Sequence, residues 1–163
     1  VDSAAEGMAA VSAARYAPRG NRGISSALPF FGFRPVPSDV ATSAVDDATL
    51  VVAMIESRSA LDCIDEIAAV DGIDVLMIGA NDLTADLGVP GDYGCDRAQA
   101  AFRRVISASQ DAGCVVGVGG IPIESGSLRS LIQAGARFVS AGIDLRHLGR
   151  AITAWNEQVR AGT

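Results

Sequence analysis

Two carboxylates, Glu56 and Asp82, each follow an apolar run that reads as a buried strand. Glu56 ends the run Leu50-Val51-Val52-Ala53-Met54-Ile55. Asp82 closes Ala80-Asn81-Asp82, directly after the run Asp74-Val75-Leu76-Met77-Ile78-Gly79. Neighbouring strands lie about 4.8 Å apart, so carboxylates at adjacent strand ends can reach one ion. Hard oxygen ligands suit Mg²⁺ or Mn²⁺ rather than a structural zinc. Two carboxylates leave the remaining octahedral positions to water and substrate. The same placement also fits helix capping, because Glu56-Ser57 and Asn81-Asp82 both precede helical or turn sequence. Gly79 likewise has two readings, a tight turn at positive φ or backbone left open to a carboxylate or phosphate.

The elements that must position these groups alternate. Residues 2–15 read as a helix capped by Asp2 or Ser3. Pro18-Arg19-Gly20-Asn21-Arg22-Gly23 breaks it, and residues 18–48 form a long loop with a short helix at about 38–47. The loop holds Pro18, Pro29, Pro35 and Pro37 with Phe30, Phe31 and Phe33, a composition expected to pack rather than dangle. Beyond it, strands at 50–55, 74–79, 115–118 and 138–143 alternate with helices at 57–70, 96–112, 123–134 and 145–160. Continuous apolar strands between helices predict an α/β fold with a parallel sheet. Right-handed crossovers then bring every strand C-terminus to one rim, where ligands bind in barrels and open sheets alike. The third and fourth strands deliver Gly119-Gly120 and Gly142-Ile143-Asp144 to that rim, with no His or Cys.

Composition narrows the function classes. The 163 residues are 49% hydrophobic and 20% charged, enough for one globular domain. A formal net charge of −6 without a basic stripe argues against nucleic-acid binding. No apolar run approaches the roughly 20 residues of a membrane span, and the N-terminus lacks signal-peptide features. Cys63, Cys95 and Cys114 are widely spaced and odd in number, which predicts reduced, buried thiols in a cytoplasmic setting.

The run Ile55-Glu56-Ser57-Arg58, followed by Ile78-Gly79-Ala80-Asn81-Asp82-Leu83-Thr84-Ala85-Asp86-Leu87-Gly88, resembles the HpcH/HpaI aldolase family of class II, metal-dependent 2-keto acid aldolases. The 26-residue separation of Glu56 and Asp82 is similar to that family's, as are Arg15-Tyr16-Ala17-Pro18-Arg19-Gly20-Asn21-Arg22-Gly23 and the strand Phe138–Asp144. The resemblance implies the C-terminal half of a (β/α)₈ TIM barrel of about 250 residues, with Val1-Asp2-Ser3 at the end of the fourth barrel strand. It implies Glu56 and Asp82 as ligands of Mg²⁺ or Mn²⁺, with Co²⁺ also accommodated. The backbone of Asn81 and Asp82 would meet the substrate carboxylate, and Gly79 would let that backbone approach. The implied reaction is reversible cleavage of a 4-hydroxy-2-keto acid into pyruvate and an aldehyde through a metal-stabilised enolate. No Schiff-base lysine is available, since every basic residue apart from His147 is an arginine.

Two departures accompany the resemblance. Met54 stands where many members carry a substrate-positioning Gln. The family's acid–base His and keto-contacting Arg are expected upstream of Val1, so residues 1–163 alone are expected to show negligible cleavage. His147, on the last helix, reads as a surface or interface residue. The rival readings are a citrate lyase β-like lyase acting on acyl-CoA thioesters and a non-catalytic half-barrel completed by another chain. A homo-oligomer, or completion by the first half of the barrel, is expected to cover the open sheet edges. Trp155 fits either packing on a neighbour or packing on its own barrel.

Overall fold

The computed structural model describes residues 1–25 and 28–162 of the chain. Four parallel strands form one sheet in chain order: β1 (Val52–Ile55), β2 (Val75–Gly79), β3 (Val115–Gly119) and β4 (Phe138–Val139). Helices α1 (Ala4–Ala14) and α2 (Ser38–Ala48) precede β1. Helices α3 (Arg58–Asp62) and α4 (Ile64–Ala68) connect β1 to β2, and α5 (Ala80–Asp86) and α6 (Asp96–Ala112) connect β2 to β3. Helix α7 (Ser127–Gln133) lies between β3 and β4, and α8 (Asp144–Ala161) ends the fold. The α/β class with a parallel sheet is therefore as read from the sequence.

Strand residues alternate between two faces. Ala53, Ile55, Leu76, Ile78, Val116 and Val118 are buried on the helix side, against Ile64 and Ile67 of α4 and Phe102 and Val105 of α6. Burying each of the larger side chains contributes about 1.5–3 kcal/mol. Helix α6 presents Ala98, Ala101, Phe102, Val105, Ile106 and Ser109 as one buried stripe, and Gly113 at φ 75° stops it. The opposite sheet face carries Met54, Met77, Gly117 and Gly119, and Met54 is 37% exposed.

Arg15 closes the sheet end opposite the rim. Its guanidinium donates to the carbonyls of Asp46 and Thr49, the latter at 2.8 Å, and pairs with Asp74 Oδ2 at 3.0 Å. Asp74 Oδ2 also accepts from Val51 N at 2.7 Å, just before β1. The segment after Arg15 is wired to the same place. Tyr16 N donates to Asp46 Oδ1, Arg19 pairs with Asp46 Oδ2, and the Arg22 guanidinium lies 5.0 Å from the Tyr16 ring centre. A side chain at Gly20 would collide with the Arg15 and Ser12 carbonyls, each 2.4 Å from its Cβ position. The Arg15–Gly23 motif is therefore a lock for α1, α2 and the strand N-termini.

Several expectations are corrected. The helix expected at 57–70 is two helices, bent at Cys63 (φ −105°, ψ 13°), although Ile67 N still donates to Cys63 O. The helix expected at 123–134 is a 3₁₀ turn, Ile123–Ser125, then α7, separated by Gly126 at φ 73°. The first strand begins at Val52, since Leu50 is exposed. The last spans only Phe138–Val139, because it pairs with β3 alone and the chain leaves the sheet toward Gly142 at φ 132°. Helix α5 starts directly after β2, where the sequence leaves helix and turn both open. Ser3 caps α1, accepting from Glu6 N. In the 18–48 loop, Phe30 and Phe33 are exposed, and Phe30 stacks edge-on with Phe31 at 5.0 Å, so the aromatics pack less than expected. Residues 26 and 27 of that loop lie outside the described residues. The cysteines are free and only partly buried, packed against the core edge. No helix among the described residues is long and apolar enough to cross a membrane.

Candidate metal-binding site at the strand ends

The sheet register places Glu56 beside Gly79. Ile55 pairs with Ile78, Ile78 with Val118, and Gly79 with Gly119. The residue after Ile55 therefore leaves β1 alongside Gly79. A Cβ at Gly79 would lie 2.5 Å from Glu56 Cγ and 2.7 Å from Glu56 Oε1. Gly79 has φ −84°, so the positive-φ turn is not what the position requires. It requires the missing side chain, whose space Glu56 occupies.

Asp82 stands in the first turn of α5, facing Glu56 closely enough to share a hydrogen bond. Partial burial pushes the Glu56 carboxyl above its ordinary value of 4.5, and the Asp82 charge adds to this. The hydrogen bond with Asp82 and the charge of Asp2 raise it further. Two carboxylates this close favour sharing a proton or a cation over ionising side by side. The two line an open cavity of about 240 Å³ with Met54, Asn81 and Ser140. No cluster of three or more His, Cys, Asp or Glu gathers among the described residues. The donor set thus fits a cation such as Mg²⁺, which takes few protein ligands and keeps positions for water and substrate.

The sign of the pH dependence follows. An ionised carboxylate pair can hold a divalent cation, whereas a protonated pair cannot. Mn²⁺ affinity is therefore expected to rise about tenfold per pH unit up to the raised Glu56 value, then level off. Calorimetric titration of the intact natural protein from about pH 4.5 to about 7.5 measures this, and a flat profile contradicts it. Without metal the folded form holds the Glu56 proton more tightly than the unfolded chain. Stability from this group is thus lost as pH rises from 4.5 through the raised value.

Motif neighbours hold the pair in place. Ser57 caps α3 by accepting from Ala60 N at 3.0 Å, and it donates to Asp2 Oδ1. Val1 N donates to Met54 O at 3.0 Å, setting the first residues beside the end of β1. Asp86 accepts from Arg58 N at 2.7 Å and pairs with the Arg58 side chain, linking the two strand-exit motifs. Thr84 is fully buried. Its hydroxyl donates to Ala80 O at 2.7 Å and accepts from Gly91 N at 3.2 Å, fixing α5 to the following loop.

Asn81 and Asp82 sit at the start of α5, where backbone N–H groups have no partner within the helix. The Asn81 side chain is also fixed. Tyr93 Oη donates to its Oδ1 at 2.7 Å, and its Nδ2 lies 2.8 Å from the Cβ position of Gly120 (φ 83°). The sequence reading singles out only the Asn81 backbone and misses Tyr93, which sits 12 residues further on with no motif to mark it. His147, on α8, lies over Gly142 in an adjoining cavity rather than between Glu56 and Asp82.

The profile of the HpcH/HpaI aldolase/citrate lyase family matches residues 1–151. The chain belongs to the HpcH/HpaI aldolase/citrate lyase family. Among its relatives, the hydroxypyruvate/pyruvate aldolase of Deinococcus radiodurans is 39% identical over 155 residues, covering 93% of this chain and 53% of that protein. The 4-hydroxy-2-oxo-heptane-1,7-dioate aldolase of Klebsiella pneumoniae is 35% identical over 155 residues, covering 94% and 57%. The crystal structure of an HpcH/HpaI aldolase from Desulfitobacterium hafniense superposes with a TM-score of 0.87 at 26% identity, covering 98% of this chain and 61% of that one. The HpcH/HpaI chain thus spans about half the length of the curated relatives it matches, and its sheet is a partial TIM-barrel-like domain. HpcH/HpaI aldolases generally depend on a divalent metal.

Proposed function

We propose that the protein catalyses metal-dependent aldol cleavage and condensation of a 4-hydroxy-2-keto acid, interconverting it with pyruvate and an aldehyde. The observation that carries the reading is the Glu56 carboxylate, seated in the space Gly79 leaves and turned onto Asp82. In this reading Glu56 and Asp82 hold Mg²⁺ or Mn²⁺. When bound, the cation supplies Lewis acidity toward the oxygens of the 2-keto acid as negative charge develops at C–C cleavage. The N–H groups of Asn81 and Asp82 donate to the substrate carboxylate from the start of α5. Gly79 keeps the floor of the site low enough for both Glu56 and substrate. Met54, in place of a polar positioning residue, gives the site an apolar wall. The reading gives proton transfer to a group other than the chain's single histidine, which lines the adjoining cavity.

Assembly belongs to the same reading. Helix α8 buries none of its residues and exposes Leu145, Leu148, Ile152, Trp155 and Val159. Trp155 is 67% exposed, so it does not pack on this part of the barrel. A second copy or the rest of the barrel covers this stripe.

The test is pyruvate release from 4-hydroxy-2-oxoheptane-1,7-dioate by the intact natural protein, before and after metal removal. Chelation is expected to lower turnover about 100-fold or more, and Mg²⁺ or Mn²⁺ to restore it. Turnover of a β-hydroxyacyl-CoA thioester, with none of the free keto acid, overturns the reading in favour of an acyl-CoA lyase.

A further inference from the structure

Beside the metal cavity lies a second one of about 250 Å³, bounded by the loops after β3 and β4 and the first two turns of α8. The two cavities share Asn81, Gly120 and Ser140. Their charges differ. The first is acidic through Glu56 and Asp82, whereas Arg146, His147 and Arg150 line the second and no carboxylate does. In a chain with a formal net charge of −6, three basic side chains on one small cavity are a local reversal of sign.

The three are not equivalent. Arg150 is engaged by Glu124 through two hydrogen bonds, of 2.6 and 3.2 Å. The Glu124 carboxyl is held below its usual range first by its own backbone N–H and then by Arg150, with a lesser contribution from the Arg146 charge. His147 lies over Gly142, whose Cβ position is 2.7 Å from His147 Nε2. Arg146 makes no ion pair within 4.0 Å among the described residues. It is thus the cation at this cavity with donors left for a ligand. Ile121, Ile123 and Ile143 supply the remaining apolar wall.

Resting on the proposed aldol chemistry, the geometry points to Arg146 as a specificity-determining residue that anchors an anionic group on the aldehyde partner. An apolar wall ending in a free guanidinium suits a short aldehyde with a terminal carboxylate or phosphate. The Asn81 amide, clamped by Tyr93 at the junction of the cavities, is placed to meet such a ligand between the reacting carbon and its charged end.

The experiment compares aldol addition of pyruvate to succinic semialdehyde and butanal, and to glyceraldehyde 3-phosphate and glyceraldehyde, using the intact natural protein. The ratio of kcat/KM for the charged over the neutral member of at least one pair is expected to be large. Arg146→Gln should lower that ratio about 10- to 100-fold, with partial recovery in Arg146→Lys. The pair that responds identifies carboxylate or phosphate as the group recognised. A ratio unchanged by Arg146→Gln in both pairs overturns the assignment. If no aldehyde is turned over at all, the aldolase reading fails. The anion site is then judged by NMR titration of the metal-free protein with succinate and with inorganic phosphate. Binding weakened about tenfold or more by Arg146→Gln sustains the site, and equal binding or none in wild type rejects it.

Discussion

Gly79→Ala is expected to weaken Mn²⁺ binding about 100-fold while leaving the fold in place, because the substitution acts through the position of Glu56. At φ −84° the backbone of residue 79 accepts alanine without strain. The added methyl, however, takes the space of Glu56 Cγ and Oε1, at 2.5 and 2.7 Å. Glu56 must then swing away from Asp82, and a cation held by the proposed pair would lose one of its two protein ligands. Turnover should fall with the affinity. Titration of wild type, Gly79→Ala and Gly23→Ala measures the effect. The last is a control, since a methyl at Gly23 would meet nothing within 4 Å. Equal Mn²⁺ affinity in all three would show that the Glu56 side chain does not depend on the gap at Gly79.

Arg15→Met is expected to produce the largest loss of stability, about 3–5 kcal/mol. Methionine keeps much of the packing volume but strands the carbonyls of Asp46 and Thr49 at the sheet floor, while Asp74 loses its ion pair and keeps the bond from Val51 N. Arg15 has only 9% of its side chain exposed, so water cannot substitute freely for its donors. For a protein of this size the melting temperature should drop by roughly 10 °C or more. Thermal unfolding followed by circular dichroism gives the answer, and a shift of only a few degrees contradicts the lock. The Glu56–Asp82 pair lies at the opposite end of the strands. Mn²⁺ affinity measured well below the melting point should therefore change little.

These two residues show what the sequence discloses and what it withholds. The strands are legible because both faces of a parallel sheet demand apolar side chains, which leaves uninterrupted runs such as Val75–Ile78. Glu56 and Asp82 are legible because topology sends every strand end to one rim. The purpose of Gly79 is not, since it depends on the Ile55–Ile78 register, which composition does not reveal. Arg15 is hidden for a related reason. Its partners lie 31, 34 and 59 residues away, and two of the three are carbonyls that any residue type could supply. Helix α5 stays open between helix and turn because Ala80 follows β2 with no intervening loop. The bend at Cys63 has no glycine or proline to announce it. The exposed Phe30 and Phe33 and the unburied α8 stripe are apolar sequence that these residues alone do not cover, so hydrophobicity overstates burial there.

The central claim is that Glu56 and Asp82 together hold one divalent cation. The direct measurement is Mn²⁺ binding to the intact natural protein and to its Glu56→Gln and Asp82→Asn variants, by electron paramagnetic resonance of the free ion at neutral pH. Wild type should bind one ion per chain, and each variant should bind it about 100-fold more weakly or not at all. Wild-type affinity in both variants would place the cation elsewhere and contradict the account.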